Sequence, residues 1–374
     1  MSWAGLRLVA GLELRRHRGR RPLLLLACWA AALVVVGGLV LARRHPAVAG
    51  ANSTVEGWAQ ARTGAGESSF AAVAILALGS LLLVLPGLAA AAVPRDREAG
   101  MLAPLQGSLL RPAQIIGGKT LALWLVGLAL LAAAAPGLVP GAIFAGYGVG
   151  RAAATLGLLA GIALAVAMLC VGIGALTAGR RRAVIRAYQA VAVGCVLLPM
   201  VWLASFPLLR QQVPPPRGDQ EMIELLNAVD IDAGPEEISR YLDAHDLRGY
   251  AVDPRRDGVG NAPGPMLITV CTPASSSQTV PRSDALLGLA APNPLILLSQ
   301  VLARSTDATV LGDIRDGYAR ASDPLGWVLC EGQDPVPSPR PAWPVGLALW
   351  FLAGGGTALL AVHRLSVPMS GGTR

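Results

Sequence analysis

The residues Ala113–Thr120, A-Q-I-I-G-G-K-T, have a spacing that could bind a phosphate group. A phosphate-binding loop ends in Gly-Lys-Thr because its amides and lysine hold the phosphates while its hydroxyl holds Mg²⁺. Such a loop follows a buried strand and opens a helix outside the membrane, with several glycines freeing the amides. Here a polar surface segment precedes the motif and a long apolar run follows it. We therefore expect no nucleotide site in this chain.

Other residues with chemical potential are scattered along the sequence. There is no G-x-S-x-G, H-E-x-x-H or C-x-x-C motif, and the four histidines lie far apart. The acid pairs Asp230/Asp232 and Glu236/Glu237 could do acid–base work, although such pairs are more often solvated surface groups. We expect that the chain is not an enzyme and that it holds neither a metal nor a cofactor of its own.

Five cysteines divide into two groups. Cys28, Cys170 and Cys195 lie in apolar runs and indicate small core residues. Cys271 and Cys330 are the only two in the polar segment Arg210–Arg340, where an external location would let a disulfide persist. A bridge between them would close a loop of about 60 residues and contribute about 4 kcal/mol. The alternative is a pair of separate buried thiols.

The composition indicates a membrane protein. Hydrophobic residues make up 53% of the 374 residues, charged residues 14%, and the mean hydropathy is +0.54. Six runs have about 20 or more residues, the length that a helix needs to cross roughly 30 Å of hydrocarbon. We expect an all-α polytopic protein with six transmembrane helices at Pro22–Ala42, Phe70–Val93, Leu121–Phe144, Ala152–Ala178, Ala187–Leu209 and Ala342–Val362.

The first run could instead belong to a cleaved signal peptide. It follows the basic stretch Arg15–Arg21, and Ala47-Val48-Ala49 has the small residues of a cleavage site. The run is longer than the 7–15 apolar residues usual for a signal peptide. We therefore expect a retained helix, preceded by the interfacial segment 1–21. In that segment Leu6, Val9 and Leu12 share one side of an amphipathic helix.

The basic residues set the expected orientation. If the N-terminus is inside, the inner segments hold 16 basic residues and the two short outer loops hold four. This bias places both termini of a multi-pass protein in the cytoplasm. The Ala-, Arg- and Gly-rich, lysine-poor composition indicates a bacterial origin, and hence the bacterial plasma membrane. The long segment Arg210–Arg340 is discounted, because long loops cross largely regardless of charge. The net charge of +8 thus follows from the topology, and no nucleic-acid partner is needed to explain it.

The segment 210–340, between helices five and six, is predicted to be an extracytoplasmic domain. It contains 18 of the 23 acidic residues and 11 of the 31 basic ones, a formal charge of −7. Its β-prone and helical stretches indicate a small α+β fold. Within it, Pro294–Ala303 is apolar but too short to span, which leaves a re-entrant, interfacial or core helix as its possible states. The remaining domains are 22–209, with helices 1–5, and 341–374, with helix 6 and the tail.

The polar segment Arg97–Lys119, inside the predicted loop 94–120, is the most specific part of the sequence. It reads R-E-A-G-M-L-A-P-L-Q-G-S-L-L-R-P-A-Q-I-I-G-G-K, with Met101/Leu102, Leu105 and Leu109 on one helical face. This pattern resembles the cytoplasmic coupling loop of the permease subunits of type-2 ABC exporters. Met101, Ala103 and Ser108 depart from that family's usual Thr, Glu and Pro. The residues that match are Arg97, Glu98, Gly100, Leu102, Leu105, Arg111, Gly118 and Lys119.

The resemblance covers about residues 1–210 and 285–374, and it implies a function. Such a permease forms the substrate pathway of an ATP-driven exporter, as a homodimer or as a heterodimer with a second permease. ATP and Mg²⁺ bind to a separate cytosolic ATPase subunit, which docks on a short coupling helix. The resemblance therefore implies that coupling to the ATPase involves Arg97, Glu98, Gly100, Leu102, Leu105, Arg111 and Lys119.

Lys119 is the only lysine of the chain. At the entry of a membrane helix its ammonium could extend to anionic lipid headgroups, and the sharper alternative is a contact with the ATPase. Two other functions stay open for the whole protein. One is a membrane enzyme or sensor that works through its extracytoplasmic domain, and the other is a scaffold subunit without transport.

Overall fold

The computed structural model describes residues 3–17, 19–44, 55–100, 111–213, 278–302, 309–322 and 341–366. The first elements are α1 (Trp3–His17), α2 (Arg20–Arg43), α3 (Val55–Glu98), α4 (Pro112–Phe144) and α5 (Val149–Leu176). They are followed by α6 (Arg180–Ala192), a π-helical turn (Val193–Leu197) and α7 (Leu198–Ser205). The rest are β1 (Arg210–Val213), β2 (Gln278–Pro281), α8 (Leu287–Ala290), α9 (Pro294–Leu302), α10 (Val310–Ser322) and α11 (Trp343–Ser366).

Six of these helical segments are long and apolar enough to cross a membrane, which confirms the predicted all-α polytopic class. They are Arg20–Arg43, Gly57–Glu98, Pro112–Phe144, Val149–Leu176, Arg180–Ser205 and Trp343–Leu365. Helix α3, with 44 residues, is about 66 Å long at 1.5 Å per residue, more than twice the hydrocarbon thickness.

Three helices begin well before the predicted spans, and one of them is the helix at Arg180, predicted to begin at Ala187. Helix α3 begins at Val55 and not at Phe70, because its polar first third packs on neighbouring helices: Ser69 Oγ donates a hydrogen bond to Gly37 O, 3.0 Å away. Helix α4 begins at Pro112 and not at Leu121, with the Arg111 N–H donating to Gln114 Oε1 at 2.9 Å. The Ala113–Thr120 motif therefore lies in the first turns of helix α4 and not in a loop.

The chain divides into two compact units. The first contains residues 1–201, 288–315 and 341–374, and α5 is its central helix. Helix α5 packs against α3, α4, α6 and α11. In its most apolar stretch 61% of the residues are buried, compared with 11% in the corresponding stretch of α2. Close helix crossings occur at glycines, as where a Cβ on Gly174 would meet Ala90 O.

The second unit contains residues 202–287 and 316–340. In it β1 and β2 pair antiparallel, with Arg210 opposite Pro281 and Val213 opposite Gln278. Trp202 packs edge-on against Phe206, and its indole Nε1 donates to Ser283 O at 2.9 Å. Most of the predicted α+β domain, including Asp230, Asp232, Glu236 and Glu237, lies outside the described residues.

Candidate functional site

Four charged side chains meet where α1, α3 and α4 come together. We call this group the ion cluster, and it consists of Glu13, Arg16, Asp96 and Lys119. Lys119 Nζ lies 2.6 Å from Asp96 Oδ2 and 3.0 Å from Glu13 Oε2. Arg16 Nη1 lies 2.8 Å from Asp96 Oδ1 and 3.3 Å from Glu13 Oε2. Two cations and two anions thus form one connected network.

The local sequence explains how these groups meet. Gly117 and Gly118 precede Lys119 and leave room for α1 to lie against α4. A Cβ on Gly118 would sit 2.6 Å from Val9 Cβ, closer than any real contact. Helix α1 therefore turns Val9 and Glu13 inward, both buried. Leu12, predicted to share the apolar side with Val9, is instead 51% exposed.

The ion cluster is shielded from water on three of its four members. Lys119 is 1% exposed, Asp96 3% and Glu13 4%, whereas Arg16 reaches the surface. Lys119 also donates to Ala92 O at 3.1 Å, so its ammonium has three acceptors. The hydrogen bond to Asp96 raises the pKa of Arg16, against the opposing effect of burial. Buried charges are tolerated only when they are paired in this way.

The end of α3 also holds the junction between α5 and α6. Arg97 donates to two carbonyls at the end of α5, Nη2 to Ala175 O at 3.2 Å and Nη1 to Thr177 O at 3.3 Å. Glu98 Oε1 accepts the Arg180 N–H at the start of α6, at 3.0 Å. Each charge matches the helix end that it contacts, since carbonyls at a C-terminus attract cations and amides at an N-terminus attract anions.

These contacts all lie at one end of the first unit, which we call the basic edge. It comprises the ends of α1, α3, α5 and α11 and the starts of α2, α4 and α6. Helix α11 joins through Arg364, whose Nη1 donates to Leu176 O at 2.6 Å. The ends of the first and last described helices thus share one side of the bundle, as an even number of crossings requires.

The predicted coupling residues fall into three groups. Arg97 and Glu98 hold the α5–α6 junction, while Gly100 ends α3 with a φ of +67°, a conformation that glycine adopts without strain. Arg111 caps α4 through its backbone and has an exposed side chain. Leu102 and Leu105 lie outside the described residues, as do Cys271 and Cys330 of the predicted disulfide.

Lys119 requires a correction. Neither a headgroup contact nor a direct ATPase contact is compatible with an ammonium that is buried and held by two carboxylates. Its partners Glu13 and Asp96 were not predicted as site residues. Lys119 and Glu13 are 106 positions apart, so no local spacing connects them. One feature of the sequence could have indicated an ion pair with another helix: the single lysine lies at a membrane boundary and has no nearby acid in its own helix.

The carboxylates of Glu13 and Asp96 are paired with cations. Among the described residues, no group of three or more His, Cys, Asp or Glu could hold a metal ion. What the arrangement can do is mechanical, because it ties several helix ends together at one edge.

Comparison with known proteins does not assign the chain to a family. No protein-family model matches it, and no curated protein matches it.

Proposed function

We propose that this chain is the transmembrane permease subunit of an ATP-driven exporter of the type-2 ABC class. It forms the substrate pathway in a bacterial plasma membrane, as a homodimer or with a second permease. A separate cytosolic ATPase binds ATP and Mg²⁺ and drives the movement. The resemblance of the segment Arg97–Lys119 gives the family, and the contacts of the basic edge support the mechanism.

The observation that carries the proposal is the double attachment of the end of α3. On one side the ion cluster links Asp96 to α1 and α4. On the other side Arg97 and Glu98 link α3 to the α5–α6 junction, where Arg364 adds α11. Helix α3 ends and helix α4 begins beside these attachments, and the segment 99–111 connects the two helices in the sequence. A force on it is therefore passed to five other helices at once.

The distribution of arginines supports a cytoplasmic location for the basic edge. The basic edge carries the exposed arginines of α6 (Arg180, Arg181, Arg182 and Arg186) and those at the start of α2 (Arg20 and Arg21). An excess of arginine and lysine marks the cytoplasmic face of membrane proteins. In this orientation the segment 99–111 faces the compartment that contains ATP, and both termini are cytoplasmic.

The proposal gives the predicted residues two different roles. Arg111, Leu102 and Leu105 belong to the surface that meets the ATPase. Arg97 and Glu98 act one step further inside, because their side chains contact α5 and α6. Lys119 holds the ion cluster and transmits the movement to α1 without touching the partner.

The decisive experiment is co-purification of the detergent-solubilised chain with candidate ATPase subunits. The test variant is Arg111→Glu, which reverses an exposed charge while its capping hydrogen bond uses only the backbone. The matched control is Arg43→Glu, an equal reversal of an exposed arginine at the opposite end of the bundle. We expect the wild type and Arg43→Glu to retain the ATPase and Arg111→Glu to lose most of it.

A second variant separates coupling from docking. Arg97→Ala removes two hydrogen bonds to α5, so the ATPase should still bind while substrate export falls by about tenfold or more. If no ATPase binds the wild-type chain, the exporter proposal is wrong and activity should be sought in the segment 210–340.

A further inference from the structure

Helix α9 lies inside the first unit although it is too short to cross a membrane. Its nine residues pack against α5, α11 and α3. Ile296, Leu297, Leu298, Ser299 and Leu302 are buried, with Leu297 and Leu298 fully so. Of the three states predicted for this apolar run, the structure supports a helix in the core of the bundle.

The hydrogen bonds of α9 indicate how deep it lies. Trp350 Nε1 donates to Pro292 O at 2.8 Å, and Trp350 precedes Arg364 of the basic edge by 14 positions. At 1.5 Å per residue this is about 21 Å, some two thirds of the hydrocarbon thickness. The other end of α9 lies near the start of α11, because Gln300 Oε1 accepts the Ala342 N–H at 2.7 Å. The run thus enters from the end opposite the basic edge and turns at Pro292–Asn293.

A weak point of the fifth span lies beside this turn. In an α-helix the N–H of residue 199 donates to the carbonyl of residue 195, but Pro199 has no N–H. The π-helical turn Val193–Leu197 begins just before it, and a Cβ on Gly194 would meet the Trp350 ring at 2.9 Å. Asn293 Nδ2 donates to Cys195 O at 3.3 Å, which is the carbonyl that Pro199 cannot serve.

Asn293 also begins α9. Its Oδ1 accepts the Leu295 N–H at 2.8 Å, and its carbonyl accepts the Leu297 N–H at 3.1 Å. The carboxamide therefore uses its donor on the fifth span and its acceptor on α9. No apolar side chain can do both, and aspartate keeps the acceptor alone.

We propose that Asn293 is the positioning residue that holds α9 in the core of the bundle, by donating to the Cys195 carbonyl beside Pro199. Opening of α9 leaves that carbonyl without its donor in a place where water is scarce, so the closed position is favoured. Asn293 and Pro199 thereby act as a pair that controls how readily α9 leaves the bundle. The inference goes beyond the proposed exporter and does not depend on any ATPase.

Hydrogen exchange of the full-length chain in detergent tests this, read by mass spectrometry on peptides that cover Pro294–Leu302. Asn293→Ala and Asn293→Asp should each speed exchange in α9 by about tenfold, the factor that corresponds to about 1.4 kcal/mol. Asn293→Asp keeps the acceptor that caps α9 and replaces the donor with a carboxylate oxygen, whereas Asn293→Ala removes the donor and the cap together without adding a charge. Unchanged exchange in α5 shows that each variant is folded.

Pro199→Ala makes the test specific to the pair. The new N–H can serve Cys195 O within the helix, so opening of α9 no longer strands the carbonyl, and α9 should exchange severalfold faster. In a chain that already carries Asn293→Ala, Pro199→Ala should raise the exchange rate of α9 by less than about twofold, because the hydrogen bond from residue 293 to Cys195 O is already absent.

The control is Trp124→Phe, which removes a comparable bond between spans, from Trp124 Nε1 to Ala160 O at 3.0 Å. It should leave exchange in α9 unchanged. The proposal is overturned if Asn293→Asp exchanges like the wild type, or if Pro199→Ala accelerates α9 equally with and without Asn293.

Discussion

At the scale of single residues, Lys119 shows how a chain can place a full charge at a membrane boundary without exposing it. Its ammonium has Asp96, Glu13 and the Ala92 carbonyl as acceptors. Removing one member of such a network costs more than removing a matched pair, because a single deletion leaves an uncompensated buried charge. The ion cluster can therefore be tested by comparing the stability of a variant that removes one charge with that of a variant that removes one cation and one anion together.

Lys119→Met should destabilise the protein by about 3–5 kcal/mol, because Asp96 and Glu13 are then left with one cation between them. The double variant Lys119→Met/Asp96→Asn keeps the charges balanced and should lose clearly less. Thermal unfolding of the purified protein in detergent measures both. Equal stability of Lys119→Met and the wild type, or additive losses in the double variant, would show that the four groups do not act as a network.

At the scale of elements, the crossing of α1 over α4 determines whether the ion cluster can form. Gly118 lies directly under Val9, whereas the nearest atom to a Cβ on Gly117 would be Leu6 Cδ1, at 3.5 Å. These two neighbouring glycines have the same sequence context and different packing. They provide a matched pair of substitutions.

Gly118→Ala should separate α1 from α4 and cost about 1–3 kcal/mol, because the added methyl overlaps Val9. Gly117→Ala should be neutral or stabilising by up to about 1 kcal/mol, because alanine favours a helix over glycine. Unfolding midpoints of the two variants decide the question. A loss of stability in Gly117→Ala as large as that in Gly118→Ala would contradict the proposed crossing.

The elements differ in how well the sequence predicts them. Long apolar runs predict six helices that could cross a membrane, and the described chain has six helices of sufficient length and apolar composition. Residues 55–69 of α3 were not predicted to be helical because Glu67, Ser68 and Ser69 resemble a loop, while tertiary contacts such as Ser69 to Gly37 O make them helical. The ion cluster could not be predicted, because its members come from three elements and periodicity cannot report which residues meet.

At the scale of the whole molecule, helix α5 offers the simplest check of orientation. Its start, after Gly148, and its end, before Ala178, lie at opposite ends of the bundle, and both of these flanking residues are exposed. The end near Ala178 belongs to the basic edge through Arg97 and Arg364. A cysteine placed at either position reports which side of the membrane it faces.

Gly148→Cys should react with a membrane-impermeant maleimide in intact cells, in excess of the labelling of the parent chain. Ala178→Cys should react only after the membrane is opened, because the arginine-rich edge is expected in the cytoplasm. The reverse pattern would turn the basic edge outward, where no cytosolic ATPase could reach it. Equal labelling of both positions in intact cells would mean that α5 does not cross.

The burial of Lys119 has a practical consequence for the chemistry of this protein. Since the chain has no other lysine, an amine-reactive reagent can meet a side-chain amine at this position alone. The carboxylates of Glu13 and Asp96 hold this ammonium and α1 covers it, so a reagent cannot reach it while α1 is in place. Acylation of Lys119 would therefore occur only when α1 separates from α4. The rate of acylation then measures how often the basic edge opens.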